Sequence, residues 1–204
     1  MKSIVLLMIC LATSFTSFSQ SFNTKSSVSG RQAAILGKMN KEALSQPPYN
    51  EWFTKNYNAY QPSQAIINQF KEELTRYTIK VFMGTWCGDS KREVPKFYKV
   101  LEAAEFPLDR LTLVGVSRER ETYKQSPGGE EEGLNIHRVP TFIFYKDGEE
   151  VARIVESPVE AFENDITNIL QQQYTPNYEA VQLVNNTLKE MGLATFEKKA
   201  KKLT

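Results

Sequence analysis

At 204 residues the chain is long enough for one domain of ordinary size with additions, and too short for two full ones. Its 25 Lys and Arg face 24 Asp and Glu, so bulk charge recruits neither nucleic acid nor an acidic membrane surface. With 2 cysteines and 1 histidine in the whole chain, the donors for a zinc set are missing and no metal site is expected.

Met1 and Lys2 precede an apolar run from Ile4 to Ala12 and then the small polar stretch TSFTSFSQ. Charged, apolar and small residues in that order form a secretory signal, with cleavage expected after Ser19. The apolar run is too short to span a bilayer, and no later segment approaches the required length, so the exported chain is expected to be soluble, periplasmic or secreted. Cys10 occupies a lipobox-like position, but bulky Ile9 precedes it and apolar residues follow, so it reads as signal-peptide filler ahead of lipid attachment. Loss of residues 1–19 removes Lys2 and no acid, leaving 24 basic residues against 24 acidic ones. It also leaves Cys87 as the one cysteine, so an intramolecular disulfide is impossible.

Residues 20–61 are polar and aromatic-rich and read as an N-terminal extension wrapped on the core, with one short helix predicted from Arg31 to Leu44 and stopped by Gln46-Pro47-Pro48. From Gln64 to Tyr77, Ile66, Ile67, Phe70 and Leu74 recur at helical spacing, with Ser63 as the expected N-cap. Thr78 to Gly84 (TIKVFMG) is an apolar, β-branched run suited to a strand buried on both faces, and Lys91 to Ala104 returns to helical period through Val94, Phe97, Tyr98 and Leu101. Leu111 to Val116 is a second buried strand, so strand, helix and strand predict a parallel crossover. Arg118 to Asn135 is read as a long polar loop or a loop with a short helix. Thr141 to Tyr145 and Glu150 to Val155 flank Lys146-Asp147-Gly148 as a hairpin. Glu160 to Gln173 is amphipathic through Phe162, Ile166, Ile169 and Leu170. Two more helices, Asn177 to Met191 and Leu193 to Lys202, are predicted as a C-terminal addition from residue 174, and the lysines near its end suit the negative pole of a helix.

Two stretches carry the chemistry. In VFMGTWCGDSKREVP, Cys87 sits where a strand feeds a helix, with Pro95 eight residues on; in NIHRVPTFIFYKDGEEV, Val139-Pro140-Thr141 precedes the hairpin. Together they resemble the thioredoxin family, whose active site reads Trp-Cys-Gly-Pro-Cys before a helix and whose cis-proline lies between an aliphatic residue and Thr. The resemblance spans about Ser63 to Gln173, placing the thioredoxin-like domain at 62–173. It implies an α/β fold with a mixed central sheet flanked by helices, here with N-terminal and C-terminal helical extensions. It also implies a nucleophile, Cys87, and a cis-proline, Pro140, beside which an extended substrate strand docks.

Each piece also has a physical role. A thiol at a helix N-terminus meets unpaired N–H groups and the positive end of the dipole, which favour the thiolate. Lys91 and Arg92 add to this and Asp89 opposes it. Trp86 offers a flat apolar rim. With Gly88, Asp89, Val139 and Pro140, it makes up the expected substrate-binding surface. Pro140, lacking an N–H, leaves the facing backbone free for a client strand.

The departures matter as much. Asp89 stands where the family has proline, Ser90 where it has the resolving cysteine, and Val81 where it keeps a buried acid. The site therefore has one thiol, and Ser90 either donates to the Cys87 thiolate or simply starts the helix. His137, the only histidine, is expected on the rim rather than in catalysis. The reading that follows is an exported monothiol oxidoreductase with no cofactor. Its partners are a client protein or small-molecule disulfide and an external resolving thiol. The alternative is a retired module of the same fold that binds extended polypeptides. Peroxide reduction fits less well, since the threonine two residues before Cys87 is followed directly by tryptophan.

Overall fold

The computed structural model describes residues 22–26 and 32–178. The predicted signal peptide and, beyond Tyr178, the predicted C-terminal helices lie outside these residues. In chain order the elements are β1 (Thr24–Lys25), β2 (Ile35–Met39), α1 (Lys41–Leu44), α2 (Asn50–Ala59), α3 (Gln64–Leu74), β3 (Tyr77–Met83), α4 (Gly88–Ala103), β4 (Leu111–Gly115), β5 (Thr141–Lys146), β6 (Glu149–Val155) and α5 (Phe162–Leu170), with single 3-10 turns at Leu108–Arg110 and Arg120–Thr122. The strands form one mixed sheet in the order β1-β2-β4-β3-β5-β6. Only β3 and β4 run parallel, joined through α4 as a crossover; every other pairing is antiparallel.

Alternation along the strands sorts the core. Val81 is aligned with Leu113 on β4 and Phe142 on β5, and all three join the large cluster that takes the buried side chains of the helices. Phe97 of α4 is its centre, with ring centroids 4.6 Å from Phe142 and 5.1 Å from Phe162. Phe82, Val114 and Ile143 point to the opposite face, where Val116, Ile136 and Val139 cover them in a smaller cluster. The connection between β4 and β5 thus forms the lid of that face. The hairpin turn sits at Asp147 and Gly148, whose φ values of 53° and 86° are the pair of positive angles a tight two-residue turn demands.

The helix expected from Arg31 to Leu44 is not there. Residues 35–39 are strand β2, paired antiparallel with β4, and only Lys41–Leu44 is helical, capped by Asn40 through its side chain. Without β2 the β4 edge would present unpaired N–H and C=O groups beside a buried apolar face, and that demand outweighs the helix propensity of Ala33, Ala34 and Leu36. The N-terminal region is therefore not purely helical: two strands lead it. The fit of β2 is close, because a Cβ on Gly115 would stand 2.1 Å from the Ile35 carbonyl oxygen.

Helix α2 docks on α4 by a specific exchange. Pro95 has no N–H to give the Lys91 carbonyl one turn back, and Asn56 of α2 donates its Nδ2 there at 3.1 Å. A second tie crosses the fold: the buried Glu163 carboxylate accepts from the Tyr60 hydroxyl at 2.6 Å and from the Ser63 N–H at 2.9 Å. Ser63 does precede α3, but its side chain makes no capping bond; it takes part through that backbone N–H instead.

Candidate functional site

Strand β3 ends at Met83, the chain turns through Gly84-Thr85-Trp86, and Cys87 becomes the N-cap residue of α4 with extended backbone (φ −85°, ψ 131°). The turn is closed by a bond from the Cys87 N–H to the Gly84 carbonyl at 2.9 Å. The half-buried Cys87 thiol donates to the Val139 carbonyl at 3.2 Å, and the Val139–Pro140 peptide bond is cis. The two motifs, 52 residues apart, thus meet at one sulfur. Cys87 is the one cysteine among the described residues.

Ser90 is wholly buried, and its Oγ accepts from the Gly84 N–H at 3.2 Å. The contact it makes is with the turn backbone, not with Cys87. Asp89, on the outer side of the first turn, is held by Arg92 at 2.7 Å, and Arg92 also bonds the buried Glu93 at 2.6 Å. Arg92, one of the two cations expected to favour a thiolate, is therefore engaged by two carboxylates. Gly88 faces open space: a Cβ there would meet nothing within 4 Å.

Trp86 is oriented by three neighbours. Its Nε1 donates to the Val116 carbonyl at 2.8 Å, and its ring lies 5.8 Å from that of Tyr123. It also covers Gly84, where a Cβ would sit 2.6 Å from the indole. Tyr123, 37% exposed, extends the aromatic surface beside the thiol; it comes from the polar β4–β5 connection, where nothing in the local pattern singles it out. Thr85 was likewise missed: its buried Oγ1 accepts from the Ile35 N–H at 3.2 Å and ties β2 to the thiol turn.

His137 is 9% exposed, with Nδ1 3.4 Å from the Asn135 carbonyl oxygen and Nε2 buried without a hydrogen-bond partner. Burial, aided by Arg153, Lys124 and Arg138, holds its pKa below the ordinary histidine value against the opposing Asn135 carbonyl. It belongs to the base of the cis-proline loop, and its ring packs on Tyr178. Among the described residues no group of His, Cys, Asp and Glu side chains is arranged to hold a metal ion, and no helix is long and apolar enough to cross a membrane. A cavity of about 390 Å³ opens at the other end of the sheet, lined by Lys38, Tyr98, Leu108 and Leu111; none of the thiol-site residues borders it.

A cysteine capping the helix after a central strand, with a cis-proline loop presenting a carbonyl to its sulfur on a mixed six-stranded sheet, defines a thioredoxin-like fold with a one-thiol site. No family model matches the chain. Among curated proteins it is similar to the protein "Thioredoxin Asp f 29" of Aspergillus fumigatus, 28% identical over 97 residues that make up 46% of this chain and 81% of the relative. Among solved structures it is similar to thioredoxin O2 of Arabidopsis thaliana, at 20% identity over 56% of this chain and 92% of that one, with a TM-score of 0.32. Mitochondrial thioredoxin 3 of Saccharomyces cerevisiae is similar at 18% identity over 57% and 98%, with a TM-score of 0.31.

Proposed function

We propose that this chain is an exported monothiol protein that performs thiol–disulfide exchange through Cys87. The observation that carries the reading is the thiol at the N-cap of α4 facing the carbonyl of Val139 beside cis-Pro140. Similarity to a protein named thioredoxin points to the same redox class.

The Cys87 thiolate attacks one sulfur of a partner disulfide; a new sulfur–sulfur bond forms, the partner's bond breaks, and its second sulfur leaves as a thiolate that takes a proton from solvent. An external thiolate then attacks the partner's sulfur in the mixed disulfide, and Cys87 leaves. Electrons balance across the two steps: the external sulfur is oxidised into a disulfide with the partner's first sulfur, and the partner's second sulfur is reduced to a thiol. Trp86 and Gly88 border the entry, and Val139 presents its backbone beside the sulfur, while the Pro140 carbonyl is taken by the Glu156 N–H at 2.7 Å. Ser90 does no redox chemistry; it holds the turn that presents the sulfur.

The test is to treat chain 20–204 with 2-hydroxyethyl disulfide, follow the adduct by mass, and then add a small thiol. Adduct formation and release, both absent in Cys87→Ser, are expected, and Ser90→Cys is expected to release the adduct with no added thiol. A Cys87 that stays unmodified while a denatured control reacts would remove exchange and leave the polypeptide-binding reading. A mass beginning at Gln20 in the extracellular or periplasmic fraction checks export; retention of residues 1–19 would refute it.

A further inference from the structure

The segment after α5 returns to the thiol. Tyr174 packs on the large core, and the chain then brings Asn177 and Tyr178 to the turn after β6 and to the segment that leads into cis-Pro140. Asn177 Nδ2 donates to the Ser157 carbonyl at 3.2 Å, and the Tyr178 hydroxyl donates to the Glu156 carboxylate. The Tyr178 ring lies 4.8 Å from the Arg138 guanidinium carbon and meets the His137 ring edge-on at 5.9 Å. Arg138 closes the circle with an ion pair to Glu156 at 2.7 Å.

This cluster adjoins the cis-proline loop that faces the reacting sulfur. Arg138 immediately precedes Val139, which accepts from the Cys87 thiol, and the Glu156 N–H donates to the Pro140 carbonyl at 2.7 Å. Glu156 also holds a left-handed backbone, φ +64°, a conformation that glycine adopts more readily. Its carboxylate is what joins Arg138 to Tyr178.

We propose that Glu156, Arg138 and Tyr178 form a clasp that holds the segment after α5 as a wall beside Cys87, so that the site admits small-molecule disulfides and thiols and turns away bulky partners. The proposal rests on Cys87 as the reacting group and deepens the exchange reading by naming its substrate class.

Its test does not require exchange, because Cys87 is the one cysteine of residues 20–204 and can be alkylated directly. Rates are measured with N-ethylmaleimide and with the same maleimide carried on a long polyethylene glycol chain, so that a change in thiolate fraction cancels in the ratio. In Tyr178→Ala and Glu156→Gln the ratio of bulky to small reagent is expected to rise about tenfold, equivalent to about 1.4 kcal/mol of clasp. Tyr178 lies outside the buried core and Glu156→Gln keeps its volume; an unchanged unfolding midpoint confirms folding in each. A ratio that stays within twofold of the parent in both, or two rates that rise equally, overturns the clasp. Failure of the mixed-disulfide experiment with a raised ratio here would remove the exchange reading and leave the clasp standing.

Discussion

Gly115→Ala tests the feature that joins the N-terminal region to the sheet. The added methyl would meet the Ile35 carbonyl oxygen at 2.1 Å, the Ile35 carbonyl carbon at 2.9 Å and Met39 Cε at 2.4 Å. Met39 can rotate away; the Ile35 backbone cannot, because its N–H is bonded to Thr85 Oγ1 at 3.2 Å and β2 is in register with β4 through Gly37, Lys38 and Met39. Strand β2 must therefore shift or detach. It buries Ile35 and Met39 almost completely, each worth about 1.5–3 kcal/mol, so full detachment costs about 3–6 kcal/mol. A strained but attached strand costs about 1–3 kcal/mol. Either is a large share of the roughly 5–15 kcal/mol a domain possesses. Urea unfolding measures the loss, and limited proteolysis across residues 32–40 distinguishes detachment from strain. Gly88→Ala, where the methyl meets nothing within 4 Å, is the control. A Gly115→Ala protein within about 0.5 kcal/mol of the parent, with β2 still protected, would refute the close approach.

Two further outcomes are expected. Ser90→Ala leaves the buried Gly84 N–H without its acceptor and should cost about 1–3 kcal/mol in urea unfolding; an unchanged midpoint would show that Ser90 does not hold the turn. Burial lowers the folded pKa of His137 below its unfolded value of about 6.5, so the unfolded chain takes the proton first. That contribution is complete above the unfolded pKa and is lost as pH falls through the folded one, at no more than about 1.4 kcal/mol per pH unit. His137→Phe should therefore lose less stability than the parent between pH 7 and 5, and parallel profiles would refute the assignment.

What the sequence determined by itself is the part written in local pattern. The helical spacing of Ile67, Phe70 and Leu74, the apolar run of β3 and the Asp147-Gly148 turn each suffice within a few residues, because one face or one turn sets the energetics. Cys87, Ser90 and Pro140 were legible as motif positions. The sequence did not reveal what each side chain faces. Ser90 turned out to be the acceptor for Gly84, and Trp86 to rest on Tyr123 and the Val116 carbonyl.

Strand β2 shows why local pattern fails. Ile35, Gly37 and Met39 alternate inward, but a glycine at the middle inward position hides the period, while Ala33, Ala34 and Leu36 imitate a helix. Only the open edge of β4, with Gly115 leaving room for the Ile35 carbonyl, decides for a strand. Helix α2 is similar: it buries Phe53 alone, and its place is set by Asn56 reaching a carbonyl that Pro95 left unpaired on another helix. The clasp of Arg138, Glu156 and Tyr178 is the same case at the thiol itself. Each residue is an ordinary polar side chain on its own segment, and only the folded backbone brings the two charges and the ring within bonding distance.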